Sequence, residues 1–262
     1  MTSGKATKRK RQAKVPPPPV KGPGQPRQAS PKVLIGAGAG IVLLVVAIVL
    51  GVVLSGNSSS SSPPPRGATL PGAAEAQRLF KGIPQNGNVL GSPKAPVTLV
   101  QYIDLQCPFC QEFETQAMPK LLARYVRTGK VKIEARPIAF IGPDSERGRA
   151  GALAAAQQNK MFNYMQLLYL NQGTENTGWL SDAMANAAAS SIPGLNLHAW
   201  SSARNSSTVK DQSTQFDNQA TSDNVTETPT VLVGKTGGQL QKTQVSLSDI
   251  NALSAAIQAA QG

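Results

Sequence analysis

The sequence predicts an α/β fold in which a helical subdomain separates two halves of a sheet. Three observations carry this. Val97 to Asp104 (VTLVQYID) is a β-branched and aromatic run suited to a buried strand, and Lys130 to Pro137 alternates like a second strand after an intervening helical pattern. Ser145 to Tyr169, Leu180 to Ala189 and Leu197 to Gln219 then read as helices, with Gly173, Gly178 and Pro193-Gly194 as breaks, so an insertion is expected at about 144–220. Thr230 to Gly234 (TVLVG) returns to strand character.

From the N-terminus, residues 1–32 carry nine basic side chains, no acidic one and the run Pro16 to Pro19. Such a segment buries too little apolar surface to fold and is expected to be a disordered basic tail. Val33 to Leu54 follows with 22 residues and no charge. At about 1.5 Å per residue a helix of this length reaches roughly 33 Å, enough for a hydrocarbon core of about 30 Å. A single uncleaved transmembrane helix, acting as a signal-anchor in lipid, is expected, because leader and core are both long for a cleaved signal peptide and no A-x-A site follows. The basic residues precede it and neutral Ser55 to Ser62 follows, which places the N-terminus in the cytoplasm and the bulk of the chain outside the cell membrane.

Residues 55–74, rich in Ser and Pro, read as a linker, and 75–262 suffice for one globular domain. The net charge of +12 is mostly the tail: subtracting its nine basic residues from 26 leaves 17 against 14 acidic. No aromatic stacking motif accompanies it, so nucleic acid is not an expected partner.

The strand at 97–104 leads through Leu105-Gln106 into Cys107-Pro108-Phe109-Cys110, and these are the only two cysteines in 262 residues. Pro108 suits a first helical turn, and Phe113, Ala117, Leu121, Leu122 and Tyr125 recur at helical spacing, with Pro119 as an interruption. Cys107 is thus expected at a helix N-terminus, where unpaired amides and the helix dipole favour a thiolate. A C-x-x-C pair can cycle between dithiol and disulfide. Half of a zinc site with His198, the only histidine, is a competing reading, as are a structural disulfide and inert buried thiols. Downstream, Gly237-Gly238 predicts a hairpin into Gln239 to Lys242, and Ser246 or Ser248 a cap for a last helix through Ala260.

Together, Gly91 to Cys110 (GSPKAPVTLVQYIDLQCPFC), the helical insertion and Thr228-Pro229-Thr230 before a strand resemble the DsbA-like branch of the thioredoxin superfamily in its membrane-anchored form, over about residues 80–260. The resemblance implies a thioredoxin-like fold with a helical insertion, and a thiol-disulfide oxidoreductase that introduces disulfides into exported proteins. Cys107 would be the exposed attacking sulfur and Cys110 the buried resolving one, the two forming a redox-active disulfide flanked by Pro108 and Phe109. Pro229 would be a cis-proline beside them, with Thr228 at the cleft. No metal or organic cofactor is implied, and a membrane quinone-linked partner would reoxidise the pair.

Two departures bear on this. Many relatives carry an acidic residue six positions before the first cysteine, where this chain has Gln101, and strand alternation puts Asp104 on the opposite face. The enclosed dipeptide is Pro-Phe, not the Pro-His of the strongest oxidants. A disulfide reductase or isomerase, and a redox-inactive binding module for exported proteins, are the alternative functions.

Overall fold

The computed structural model describes residues 69–262. The expected tail, membrane span and residues 55–68 of the linker lie outside the described residues. Among the described residues no helix is long and apolar enough to cross a membrane.

The packed structure begins ahead of the expected boundary at 75. Leu70 is buried and its N–H donates to Ser191 Oγ at 2.8 Å, and helix α1 (Ala73–Phe80) buries Ala73, Ala76 and Phe80 along one face. A short hairpin, β1 (Gln85–Asn86) and β2 (Val89–Leu90), turns at Gly87, whose φ of 58° favours glycine. Strand β3 (Val97–Ile103) is buried at every position, its polar Thr98 and Gln101 included. The next helical stretch is interrupted where Pro119 was expected to interrupt it: α2 (Pro108–Gln116) is followed by α3 (Met118–Leu121) and a π turn over Leu122–Val126. Strand β4 (Val131–Pro137) alternates buried and half-buried residues and lies parallel to β3.

The helical insertion holds five helices rather than the three stretches expected. Ser145 to Tyr169 divides into α4 (Pro143–Ala156) and α5 (Met161–Leu170). The break falls at Asn159, which adopts φ 57° and accepts the Gly87 N–H on Oδ1. Asparagine tolerates this left-handed conformation, and its composition alone does not distinguish a break from a helical position. After α6 (Asp182–Ser190), capped by Ser181, Leu197 to Gln219 divides into α7 (Leu197–Ala203) and α8 (Ser207–Ser222), the latter capped by Ser206 Oγ accepting from the Val209 N–H.

Strands β5 (Thr230–Lys235) and β6 (Gln241–Thr243) close the sheet in the order β1-β2-β4-β3-β5-β6, antiparallel except for the β3/β4 pair. Helix α9 (Asn251–Gln261) has no serine cap. Ser246 bonds Asp249 instead, and it is the Asp249 carboxylate that accepts the Asn251 N–H. The architecture is a thioredoxin-like α/β fold with a helical insertion.

Candidate active site

Strand β3 ends at Ile103, and the chain turns through Asp104-Leu105-Gln106 before α2 starts. That turn is held from the helical insertion. Asp104 Oδ1 accepts the Gln106 N–H at 2.8 Å and the Ser145 hydroxyl at 2.7 Å, and its Oδ2 accepts the N–H groups of Phe140 and Ile141 at 2.7 and 2.8 Å. Gln172 Nε2 donates to the carbonyls of Leu105 and Cys107, and the Tyr169 hydroxyl donates to that of Asp104. Gly148 lets α4 press on the same turn: a Cβ there would stand 3.2 Å from Leu105 Cδ1. Insertion and sheet thus position the cysteines jointly.

Cys107 is the N-cap residue of α2, with Pro108 in the first turn, as the spacing predicted. Both cysteines are free thiols, Cys110 fully buried and Cys107 only 4% exposed. The expectation of an exposed Cys107 needs this correction. The carbonyl of Thr228 crosses over it and accepts its Sγ–H at 3.3 Å, so the exposed group of the motif is Phe109, at 59%. The Thr228–Pro229 bond is cis. Phe109, Thr228, Pro229, Val231, Val245 and Leu247 line a cleft of about 500 Å³ beside the motif. His198 stands exposed on α7, which packs on α4 and α6.

The two sulfurs are electrostatically unlike. A hydrogen bond from the Cys110 thiol brings Cys107 down from the ordinary thiol value of 9.0 to about 6 against the pull of burial, helped by the Thr228 side chain and by the N–H groups of Cys110 and Phe109. Burial, and then Cys107 itself, push Cys110 well above that value. Cys107 is thus much the more readily ionised of the two sulfurs, and Cys110 the thiol that would donate to its thiolate.

Sequence reasoning missed Glu114. It follows Cys110 by four residues on α2, which places the two on one helix face, and this spacing was the available signal. It is 3% exposed, and its Oε1 accepts from Gln101 Nε2 at 2.8 Å. Burial lifts its carboxyl from 4.5 to about 8, the Gln101 bond offsetting only part of this. Gln101 Oε1 has no partner among the described residues. The phenol of Tyr169 is pushed up by burial and then by the charges of Cys110 and Glu114. A buried carboxyl thus meets Gln101 of the strand from α2.

A family model described as thioredoxin matches residues 84–257. The probable disulfide bond formation protein D of Bacillus cereus is 26% identical over 147 residues, covering 55% of this chain and 68% of that protein. The disulfide bond formation protein D of Bacillus subtilis is 25% identical over 166 residues, covering 62% and 72%. Among solved structures, oxidised BdbD from Bacillus subtilis matches with a TM-score of 0.59 at 20% identity, covering 69% of this chain and 98% of that one. The α-DsbA1 of Wolbachia pipientis matches with a TM-score of 0.57 at 20% identity, covering 71% and 95%. At these identities the structural matches speak to the fold.

Proposed function

The chain belongs to the thioredoxin family and is a protein thiol-disulfide oxidoreductase, and from this we propose that it introduces disulfides into exported proteins through Cys107 and Cys110. The observation that carries the direction is the place of Cys107 at the N-terminus of α2, where its thiol is shifted well below the ordinary value. Whatever stabilises the dithiol form by holding one sulfur ionised makes the disulfide form easier to reduce, hence a better oxidant.

In the proposed cycle a substrate thiolate attacks Cys107 of the Cys107–Cys110 disulfide. The substrate–Cys107 bond forms, the Cys107–Cys110 bond breaks, and Cys110 leaves with the electron pair. With its raised affinity for a proton it takes one from Glu114, whose carboxyl is the neutral acid at pH 7. A second substrate thiolate attacks the substrate sulfur, forming the product disulfide and releasing Cys107 as a stable thiolate. Two substrate thiols are oxidised and one enzyme disulfide is reduced, without a metal or organic cofactor. Reoxidation of the dithiol by a membrane quinone-linked partner completes the cycle. Phe109 and Pro229 offer apolar contact to an extended segment, and Pro229 has no N–H to compete for its carbonyls.

The chain is proposed to be anchored through residues 33–54 with residues 75–262 outside, on the strength of the 22 uncharged residues and the basic leader. One labelling experiment in intact cells tests direction and location together. A membrane-impermeant maleimide is expected to leave the pair unlabelled until an impermeant reductant is added, and to label Cys107 afterwards. Labelling without reductant would favour a reductase, and none after reduction would place the domain inside.

A further inference from the structure

A second cavity of about 500 Å³ opens between α1, β1 and the start of α5. It lies at the other end of the sheet from the cleft beside the cysteines: Gln85 of β1 lines this one and Lys242 and Thr243 of β6 line the other, and β1 and β6 are the two edge strands. Its charge is of one sign. Arg78, Lys81 and Lys160 line it, no acidic residue does, and none of the three has a carboxylate partner among the described residues. A cleft walled by one sign of charge concentrates ligands of the other.

Three side-chain amides run along its wall. Gln85 Nε2 donates to Asn163 Oδ1 at 2.8 Å, and Asn163 Nδ2 donates to Gln77 Oε1 at 3.2 Å. Asn163 is 4% exposed, within a helix whose other buried residues are mostly apolar, so the chain of amides is fixed at its middle. Its two ends are unpaired: Gln77 Nε2, a donor, and Gln85 Oε1, an acceptor, are buried without partners among the described residues. Each such atom costs on the order of 1–3 kcal/mol, and a pair of them at one cavity calls for an explanation. Both belong to residues that line the cavity.

We propose that this cavity binds a phosphorylated polyol. The phosphate meets the three cations, and hydroxyls, which both donate and accept, suit an amide chain that ends in one donor and one acceptor. A carboxylate would answer Gln77 and leave Gln85 unpaired, and inorganic phosphate would fill a small part of the volume. The same chemistry is offered by a soluble ester and by the headgroup of phosphatidylglycerol.

The test is calorimetric titration of the full chain in neutral detergent with glycerol 3-phosphate, glycerol and inorganic phosphate. The ester is expected to bind saturably and more tightly than phosphate, and glycerol not to bind. The double substitution Lys81→Ala/Lys160→Ala is expected to weaken the ester about tenfold or more, equivalent to about 1.4 kcal/mol or more, with disulfide exchange unchanged as the control for folding. Gln85→Leu is expected to erase the preference for ester over phosphate. Competition by short-chain phosphatidylglycerol, but not phosphatidylcholine, would assign the lipid headgroup; its absence would assign the free ester. No saturable binding of the ester, equal binding of glycerol, or affinity unchanged by the double substitution would overturn the proposal.

Discussion

Replacing Cys110 by alanine is expected to leave much of the chain in cells joined covalently to other polypeptides through Cys107, while Cys107→Ala collects none. The lone Cys107 thiolate attacks a partner disulfide, a Cys107–partner bond forms, and the other partner sulfur leaves as a thiolate. In the native chain Cys110, three residues on and buried against Cys107, displaces that partner. Alanine cannot. The substitution also removes the hydrogen bond that contributes most to the low value of Cys107, so adducts should form slowly near neutrality. Cys110→Ser returns an O–H donor to the same place and should collect adducts faster than Cys110→Ala. Non-reducing gels followed by mass spectrometry of the attached proteins measure both. Equal adducts in Cys107→Ala and Cys110→Ala, or none in either, would remove Cys107 from its role.

Glu114→Gln is expected to stabilise the dithiol form by roughly 3 kcal/mol near pH 7 and by much less near pH 5. The carboxyl holds its proton up to about 8 when folded, against an ordinary 4.5. Between these values the folded chain binds more protons than the unfolded one, so stability present below about 4.5 is lost as pH rises towards 8. Glutamine abolishes that slope. It can also accept from Gln101 Nε2 and donate to Gln101 Oε1, which now lacks a partner. The same substitution should slow thiol-disulfide exchange, because Cys110 loses its proton donor and acceptor. Urea unfolding at two pH values reads the first effect and exchange kinetics the second. An unchanged pH slope would show that Glu114 is ionised in the fold, and its assignment to proton transfer would fall.

What was legible in the sequence was periodicity and rarity. The runs that became β3, β4 and β5 stand out by β-branched content or alternation, and two cysteines in a long chain mark themselves. Helix breaks were less legible. Asn159 and Ser206 act through a backbone conformation and a cap, and both residues also occur within helices. Thr228-Pro229 came only from resemblance, since no local pattern tells that a loop 121 residues from Cys107 will cross over its sulfur. The Gln101–Glu114 pair was hidden for the same reason: each residue is ordinary in its own element, and only the packing of α2 on β3 makes one bury the other.

The most direct test of the redox assignment is the thiolate absorbance of the reduced full chain followed across pH. One thiolate is expected to appear with a midpoint near 6, to vanish in Cys107→Ala, and to be the only one formed through neutral pH, Cys110 remaining a thiol. Two thiols titrating together at the ordinary value of 9.0 would contradict it, because neither sulfur would then be poised to attack or to leave.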